Sequence, residues 1–301
     1  MSDDQFCETP HGLRLCFRLY GASQGETVLL IAGLGLQLIY WPPAFLEALA
    51  AEGLRLVAVD NRDAGRSSPI GTRPPGRLRQ LFARPPRENY TLEDMADDMA
   101  CLLRHLELAS AHVVGMSMGG MIAQALACRH RSLVRSLTSI FSTTGRRSVG
   151  QPAASTLWRI ATTRMPRSTE EAEAGYLAMM RHIGAPEAPG SEEQWRSYAR
   201  QAWQRAGGKF DASGIARQIG AIQKSGDRTA ALRRIEAPTL VVHGDVDRIV
   251  HPSGGRATAK AIPGARLVTL KGMRHDIDAP RIPALASLIV SNIRSSGLLR
   301  P

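Results

Sequence analysis

Ala111-His-Val-Val-Gly115-Met-Ser117-Met-Gly119-Gly120, running on to Arg129, is the stretch on which the fold turns. Ala111 to Gly115 reads as a short buried strand, and Met118 to Arg129 has helical spacing. A G-x-S-x-G sequence joining a strand to a helix demands a turn so tight that the serine backbone is strained. The glycines two residues to either side leave room for the neighbouring strand and helix. The Ser117 hydroxyl is thereby presented at a helix N-terminus, where the dipole favours negative charge. In that context Ser117 reads as a nucleophile rather than as part of a packing turn.

Outward from this turn, short apolar runs alternate with helical patterns, the signature of parallel βαβ units. Thr27-Val-Leu-Leu-Ile-Ala reads as a buried strand ending at Gly33-Leu34-Gly35. Phe45 to Glu52 has helical spacing, with Gly53 as its stop. Leu54 to Val59 is the next strand, followed by Asp60. Thr91 and Asp94 form a carboxylate variant of the capping box for a helix that buries Met95, Met99, Leu102, Leu103 and Leu106. Leu133 to Phe141 is a further strand. From about 144 to 234 strand signals vanish, and helical segments are expected around Ala153–Thr163, Glu170–Ile183, Glu192–Ala206 and Ile215–Lys224. Alternation returns with Thr239–His243, Ala265–Leu270 and a last helix over Pro280–Arg294. The chain of 301 residues therefore reads as an α/β core (1–143 and 235–301) interrupted by a helical insertion (144–234).

A serine hydroxyl needs a base to remove its proton. Of the eight histidines, His112 and His243 lie in strands, where a satisfied core histidine is expected, and His182 lies in the insertion. His251 reads as a structural neighbour of the acid loop. His275 follows a strand and the turn Lys271-Gly272-Met273-Arg274, at the carboxyl edge of the sheet where ligands collect. The base in turn needs an acid to hold its tautomer. Asp245 and Asp247, in His243-Gly-Asp-Val-Asp247, share that edge and are alternatives. For the developing oxyanion, the N–H of Met118 is one donor and the N–H of Leu34, in the glycine-rich loop 33–35, is the expected second.

These motifs, in this order, resemble the α/β-hydrolase family over nearly the whole chain apart from the insertion. They are Gly33-Leu34-Gly35, Asp60-Asn-Arg62-Asp-Ala-Gly65-Arg-Ser67, the serine turn, Gly244-x-x-Asp247 and Gly272-x-x-His275. The resemblance implies an α/β-hydrolase fold, a mostly parallel central sheet flanked by helices, with the insertion as a helical cap over the site. It places the acid three residues after the glycine, hence Asp247, with Asp245 a turn aspartate. Asn61-Arg62-Asp63 and Trp41-Pro42 resemble the bacterial carboxylesterases of the aclacinomycin methylesterase-like and haloperoxidase-like kinds. Two departures stand out: Ala32 replaces the usual histidine before Gly33, and Asp63 stands where most members carry glycine. Asp63 is expected to cap its turn or to pair with Arg62 or Arg66. Members of this fold that cleave epoxides or carbon–halogen bonds use an aspartate nucleophile, so Ser117 implies acyl transfer to water.

The expected function is thus a serine carboxylesterase for small-to-medium apolar or aromatic esters, with no metal or organic cofactor. A carbon–carbon bond hydrolase or peptidase with the same triad, or a ligand-binding protein with a vestigial site, is the alternative. Trp158, Met165, Tyr176, Met179, Met180, Trp195, Tyr198 and Trp203 in the insertion form either its core or an apolar pocket. The formal net charge is +11, but 34 of the 38 basic residues are arginine, a skew read as coding bias rather than a phosphate footprint. The densest stretch, Arg62 to Arg87, is interrupted by Pro74, Pro75, Pro85 and Pro86 and reads as an irregular solvated loop; no recognition motif supports nucleic acid as a partner. No apolar run reaches the roughly 18 residues of a membrane span. The acidic start, with no apolar run behind it, reads as cytoplasmic. The scattered Cys7, Cys16, Cys101 and Cys128 read as buried reduced thiols. The partner expected is a small-molecule ester, with neither nucleic acid nor membrane, and the sequence does not fix an oligomeric state.

Overall fold

The computed structural model describes residues 3–298; Met1 and Ser2, part of the acidic start, and residues 299–301 lie outside it. Two strands, β1 (Gln5–Glu8) and β2 (Arg14–Gly21), precede β3 (Thr27–Ile31), the first strand expected. They escape pattern reading because β1 has four residues and β2 is neither strictly alternating nor an unbroken apolar run. There follow α1 (Pro43–Ala50), β4 (Arg55–Val59), α2 (Arg77–Leu81), α3 (Leu92–His105), β5 (Ala111–Met116), α4 (Met118–Arg129) and β6 (Val134–Ile140). The strandless segment holds α5 (Ala154–Thr162), α6 (Thr169–Ile183), α7 (Ser191–Arg205), α8 (Ala212–Ser225) and α9 (Thr229–Leu232). The chain closes with β7 (Thr239–Gly244), α10 (Ser253–Ala261), β8 (Arg266–Leu270) and α11 (Ile282–Leu298).

The eight strands form one sheet in the order β1-β2-β4-β3-β5-β6-β7-β8. β2 pairs antiparallel with β1 and β4, and every pair from β4 to β8 is parallel. Both faces of the central parallel strands β3, β4 and β5 are covered, which is why these are mostly apolar, whereas the edge strand β8 is only half-buried. Leu29, Ile31, Val57 and Val59 point into a core shared with α3 and α4, while Val28, Leu30, Leu56 and Ala58 point into one shared with α1 and α11. The capping box that starts α3 is formed: Asp94 N–H donates to Thr91 Oγ1 (3.1 Å) and Thr91 N–H to Asp94 Oδ2 (2.7 Å).

The chain runs from β3 outward to β4 on one side and then returns to β5 on the other. The carboxyl ends of β3 and β5 therefore flank the crevice where such sheets bind ligands. The arginine-rich stretch is less irregular than expected, since α2 forms within it. Arg62, at its start, is not solvated; its guanidinium grips buried Asp98 through two contacts of 2.6 and 2.7 Å. The four cysteines are free thiols, two buried and two half-buried. No helix among the described residues is long and apolar enough to cross a membrane.

Candidate active site

Ser117 stands between β5 and α4 with φ +55° and ψ −120°, the strained conformation that the tight turn demands. Its N–H is tied to Ile140 O (2.9 Å), and its carbonyl accepts from Ser142 Oγ (2.8 Å), so β6 braces the turn. The flanking glycines are sterically obligatory. A Cβ on Gly115 would lie 2.2 Å from Gly119 O, and one on Gly119 would lie 2.1 Å from Ile31 O.

The loop after β8 brings His275 to this serine, and the loop after β7 brings Asp247 to the histidine. His275 Nδ1 lies 2.7 Å from Asp247 Oδ2, and Nε2 lies 3.0 Å from Ser117 Oγ. A carboxylate can only accept, so Nδ1 carries the proton and Nε2 is left to accept from the serine hydroxyl. The ring lies 4.5 Å, centroid to centroid, from Phe141, and the backbone N–H of His275 donates to Ile183 O at the end of α6. The strandless segment thus helps hold the histidine in place.

Asp247 is buried, and its other oxygen, Oδ1, accepts from the N–H groups of Ile249 (2.8 Å) and Val250 (2.9 Å). Burial opposes its ionisation, but the His275 ring and these donors outweigh it and hold the carboxyl below the usual carboxylate range. His243 lies beneath the loop. Burial keeps it neutral, with a lowered pKa, and its Nε2–H donates to Val250 O (2.8 Å), bracing the segment that grips Asp247. Asp245, the alternative acid, is exposed and accepts from Gly272 N–H (2.6 Å), tying together the two loops that carry Asp247 and His275.

The loop of Gly33, Leu34 and Gly35 lies against the serine; a Cβ on Gly33 would meet Ser117 Cβ at 3.3 Å. Among the described residues the N–H groups of Leu34 and Met118 have no protein acceptor. The structure thus brings Ser117, His275, Asp247 and the Leu34 loop together at one edge of the sheet. It does not bring all the aromatic and methionine side chains of the insertion with them. Trp158 (73% exposed) and Met165 (51%) face solvent, whereas Trp195 and Met180 form a small core with Leu177 and Ile183.

Several residues that sequence reasoning passed over hold the loop from the insertion side. Gly35 N–H donates to Gln218 Oε1 of α8 (2.8 Å), and Gln218 Nε2 donates to Arg62 O (2.8 Å). Gln37 N–H lies 3.1 Å from Tyr198 Oη, and its side-chain Oε1 accepts from Arg205 (2.9 Å). Arg205 also reaches buried Asp60 (2.8 Å) and Asp4 (3.0 Å). Asp276 accepts from Tyr40 Oη and Trp195 Nε1, both at 3.0 Å; burial pushes its carboxyl up to about 6 against those two hydrogen bonds. Asp63 adopts φ +63°, in the left-handed region that favours glycine. It caps its turn through Ile70 N–H (2.7 Å), but its ion-pair partner is Arg217 of α8 (2.7 Å) rather than Arg62 or Arg66. No local signal marks Gln37, Arg205, Gln218 or Asp276, whose partners across the insertion lie far away in the chain. Among the described residues no group of three or more His, Cys, Asp or Glu side chains is placed to hold a metal ion.

A parallel sheet with a strained serine at its central crevice, a histidine hydrogen-bonded to it and a buried carboxylate behind defines an α/β-hydrolase architecture. Comparison with known proteins agrees: a family model described as the alpha/beta hydrolase fold matches residues 26–277, and the chain belongs to that family, among its esterase-like members. A rhodomycin D methylesterase of Streptomyces sp. (strain C5) is 30% identical, the match covering 89% of this chain and 91% of that one. A non-heme chloroperoxidase of Kitasatospora aureofaciens is 25% identical over 90% of this chain and 92% of its own. Among solved structures, a hydrolase from Pseudomonas aeruginosa PA01 superposes with a TM-score of 0.71 at 29% identity, covering 97% of this chain and 98% of that one.

Proposed function

We propose that the protein is a serine carboxylesterase in which Ser117 is the nucleophile, His275 the general base and Asp247 the acid that orients it. The observation that carries this reading is the single imidazole held between Ser117 Oγ at 3.0 Å and Asp247 Oδ2 at 2.7 Å. His275 takes the serine proton as Oγ attacks the ester carbonyl. Asp247, ionised because its environment favours the anion, stabilises the imidazolium that forms. The N–H groups of Leu34 and Met118 receive the oxyanion, at the N-terminus of α4 where the helix dipole adds to them. His275 then returns the proton to the leaving alcohol and activates the water that hydrolyses the acyl-enzyme.

Residues 144–234 act as a cap between the two parts of the core, 1–143 and 235–301. The contacts from Gln218, Tyr198 and Arg205 to the 33–37 loop support that reading. The substrate is a small-to-medium apolar or aromatic ester. Phe141 against His275 and Ile215 against Gly35 support an apolar environment for it. The methylesterase relative makes methyl esters the first natural class to try.

The test is hydrolysis of p-nitrophenyl acetate, butyrate and octanoate by the wild type and by Ser117→Ala. Loss of a triad serine lowers kcat by about 10⁶, so the variant falls to background while the wild type turns over. A variant that keeps its activity removes Ser117 from the chemistry. A wild type inactive on every ester overturns the esterase reading.

A further inference from the structure

The excess positive charge of this chain and its exposed apolar surface occupy the same two segments. Residues 64–87 and 142–169 contain no Asp or Glu and carry six and five arginines, together as many as the formal net charge of +11. All eleven arginines are exposed, and Arg66 alone among them forms an ion pair with a described residue. Of the nine large apolar side chains exposed among the described residues, seven lie in these two segments. Leu78, Leu81 and Phe82 project from α2 and its end at 65–76% exposure. Leu157, Trp158, Ile160 and Met165 project from α5 and the residues after it at 50–73%.

The topology places both segments at one edge of the molecule. The first leaves the carboxyl end of β4 and the second the carboxyl end of β6. In the sheet these strands bracket β3 and β5, whose carboxyl ends carry the Leu34 loop and Ser117. α2 packs on α8, which covers Gly35, and Thr156 of α5 is hydrogen-bonded to Arg248 O in the Asp247 loop (3.0 Å). The cationic, apolar segments therefore flank the mouth of the candidate site.

We propose that this face is a peripheral docking surface for an anionic lipid bilayer. Tryptophan, phenylalanine and leucine interleaved with arginine, with no acid among them, is the composition of a segment that lies in a membrane interface: apolar side chains enter the acyl boundary while guanidinium groups meet headgroup phosphates. A second copy of the chain is a poor occupant, because an isologous contact would oppose two acid-free arginine clusters. Duplex nucleic acid would meet the charge but leave Leu157, Ile160 and Met165 without a partner. The absence of a spanning helix among the described residues does not bear on a surface of this kind, and the proposal departs from the expectation of no membrane partner.

The experiment is co-sedimentation of the full chain with sucrose-loaded vesicles, either of phosphatidylcholine alone or of equimolar phosphatidylcholine and phosphatidylglycerol, at about 0.1 M salt. The protein should partition onto the phosphatidylglycerol vesicles and not onto pure phosphatidylcholine, with release as salt is raised. Arg77→Glu/Arg79→Glu should weaken partition at least about 30-fold, and Trp158→Ala about tenfold. The charge variant should leave hydrolysis of a soluble ester unchanged, which separates lost docking from lost folding. No partition at low salt, equal partition by both variants, or tight binding to a DNA duplex that vesicles fail to displace would overturn the proposal.

Discussion

Replacing Gln218 by leucine removes one buried side chain and leaves two backbone groups without partners: the N–H of Gly35 and the carbonyl of Arg62, each 2.8 Å from the amide. Gln218 is fully buried, so water cannot take its place without a cavity opening. An unsatisfied buried group costs about 1–3 kcal/mol, and two together about 2–4 kcal/mol after partial relaxation. For a chain of 301 residues that lowers Tm by about 3–6 °C. The kinetic effect is separate. Gly35 N–H is the anchor one residue beyond Leu34, so its release lets the proposed oxyanion donor wander. Outright loss of such a donor costs about 10²–10³ in kcat; a loosened one should cost about 10–100-fold, with KM within threefold because the ground-state carbonyl gains little from the donor. The assay is kcat and KM on p-nitrophenyl butyrate at a temperature well below the variant's own melting transition, paired with a thermal melt. Gln218→Glu restores the acceptor for Gly35 and should recover part of kcat. A variant with lowered Tm but unchanged kcat would refute the link between α8 and the oxyanion loop and leave Gln218 a purely structural residue.

Asp247→Asn should keep the fold and lower kcat by about 10⁴, whereas Asp245→Asn, whose amide oxygen can still accept from Gly272 N–H, should stay within about threefold on the same assay; equal losses would reopen the choice between the two acids. Arg205→Met leaves fully buried Asp60 without its ion-pair partner, while Asp4 keeps Arg18 and Arg66, and should destabilise the protein by about 3–5 kcal/mol in denaturant unfolding; an unchanged midpoint would show that the cluster relaxes freely. Asp276, raised to about 6 by burial, binds more protons in the folded than in the unfolded chain between about pH 4 and pH 6. Its contribution is therefore complete below that window and lost as pH rises through it, on the order of 3 kcal/mol. Melting curves of the wild type and Asp276→Asn should converge in slope outside this window and differ inside it, and parallel curves throughout would remove Asp276 as the titrating group. Asp4, held down to about 2 by Arg66, Arg205 and Arg18 against its burial, acts with the opposite sign: its support is present above about pH 4 and is lost as pH falls toward 2, visible as steep acid unfolding that Asp4→Asn flattens.

What was legible in the chain was what is local. The strand, turn and helix around Ser117 declare themselves because the strained φ and the close approaches of Gly115 and Gly119 are encoded within five residues. The same holds for the Thr91 capping box, whereas Asp245 and Asp247 stay alternatives on their own residues and only the resemblance to the family, with the acid three residues after Gly244, prefers Asp247. β1 and β2 were not legible because an antiparallel edge gains its stability from pairing, β1 with β2 and β2 with β4, not from an apolar period of its own. Arg62 was misplaced among solvated arginines because its partner, Asp98, lies on α3 and no local pattern links the two.

The part of the site that stayed hidden shares one property: it joins the strandless segment to the core across large sequence separations. Gly35 and Gln218 are 183 residues apart, Gln37 and Arg205 168, and Asp63 and Arg217 154. Each of these side chains sits on a helix whose apolar stripe explains its fold equally well without the polar contact, so neither periodicity nor composition singles it out. Burial then decides their importance. Gln218 and Asp60 are completely buried, and Arg217 is nearly so, which makes each contact expensive to break and holds α7 and α8 in one arrangement over the 33–37 loop. The chemistry at Ser117 therefore depends on the insertion in two physically distinct ways. The carbonyl of Ile183 holds His275, the proposed base, and Gln218 with Tyr198 holds the loop proposed to receive the oxyanion. A cap that carried substrate specificity alone could be exchanged without touching kcat. On the proposed mechanism this one should not be exchangeable in that way, because both the proposed base, His275, and the 33–37 loop are hydrogen-bonded to it.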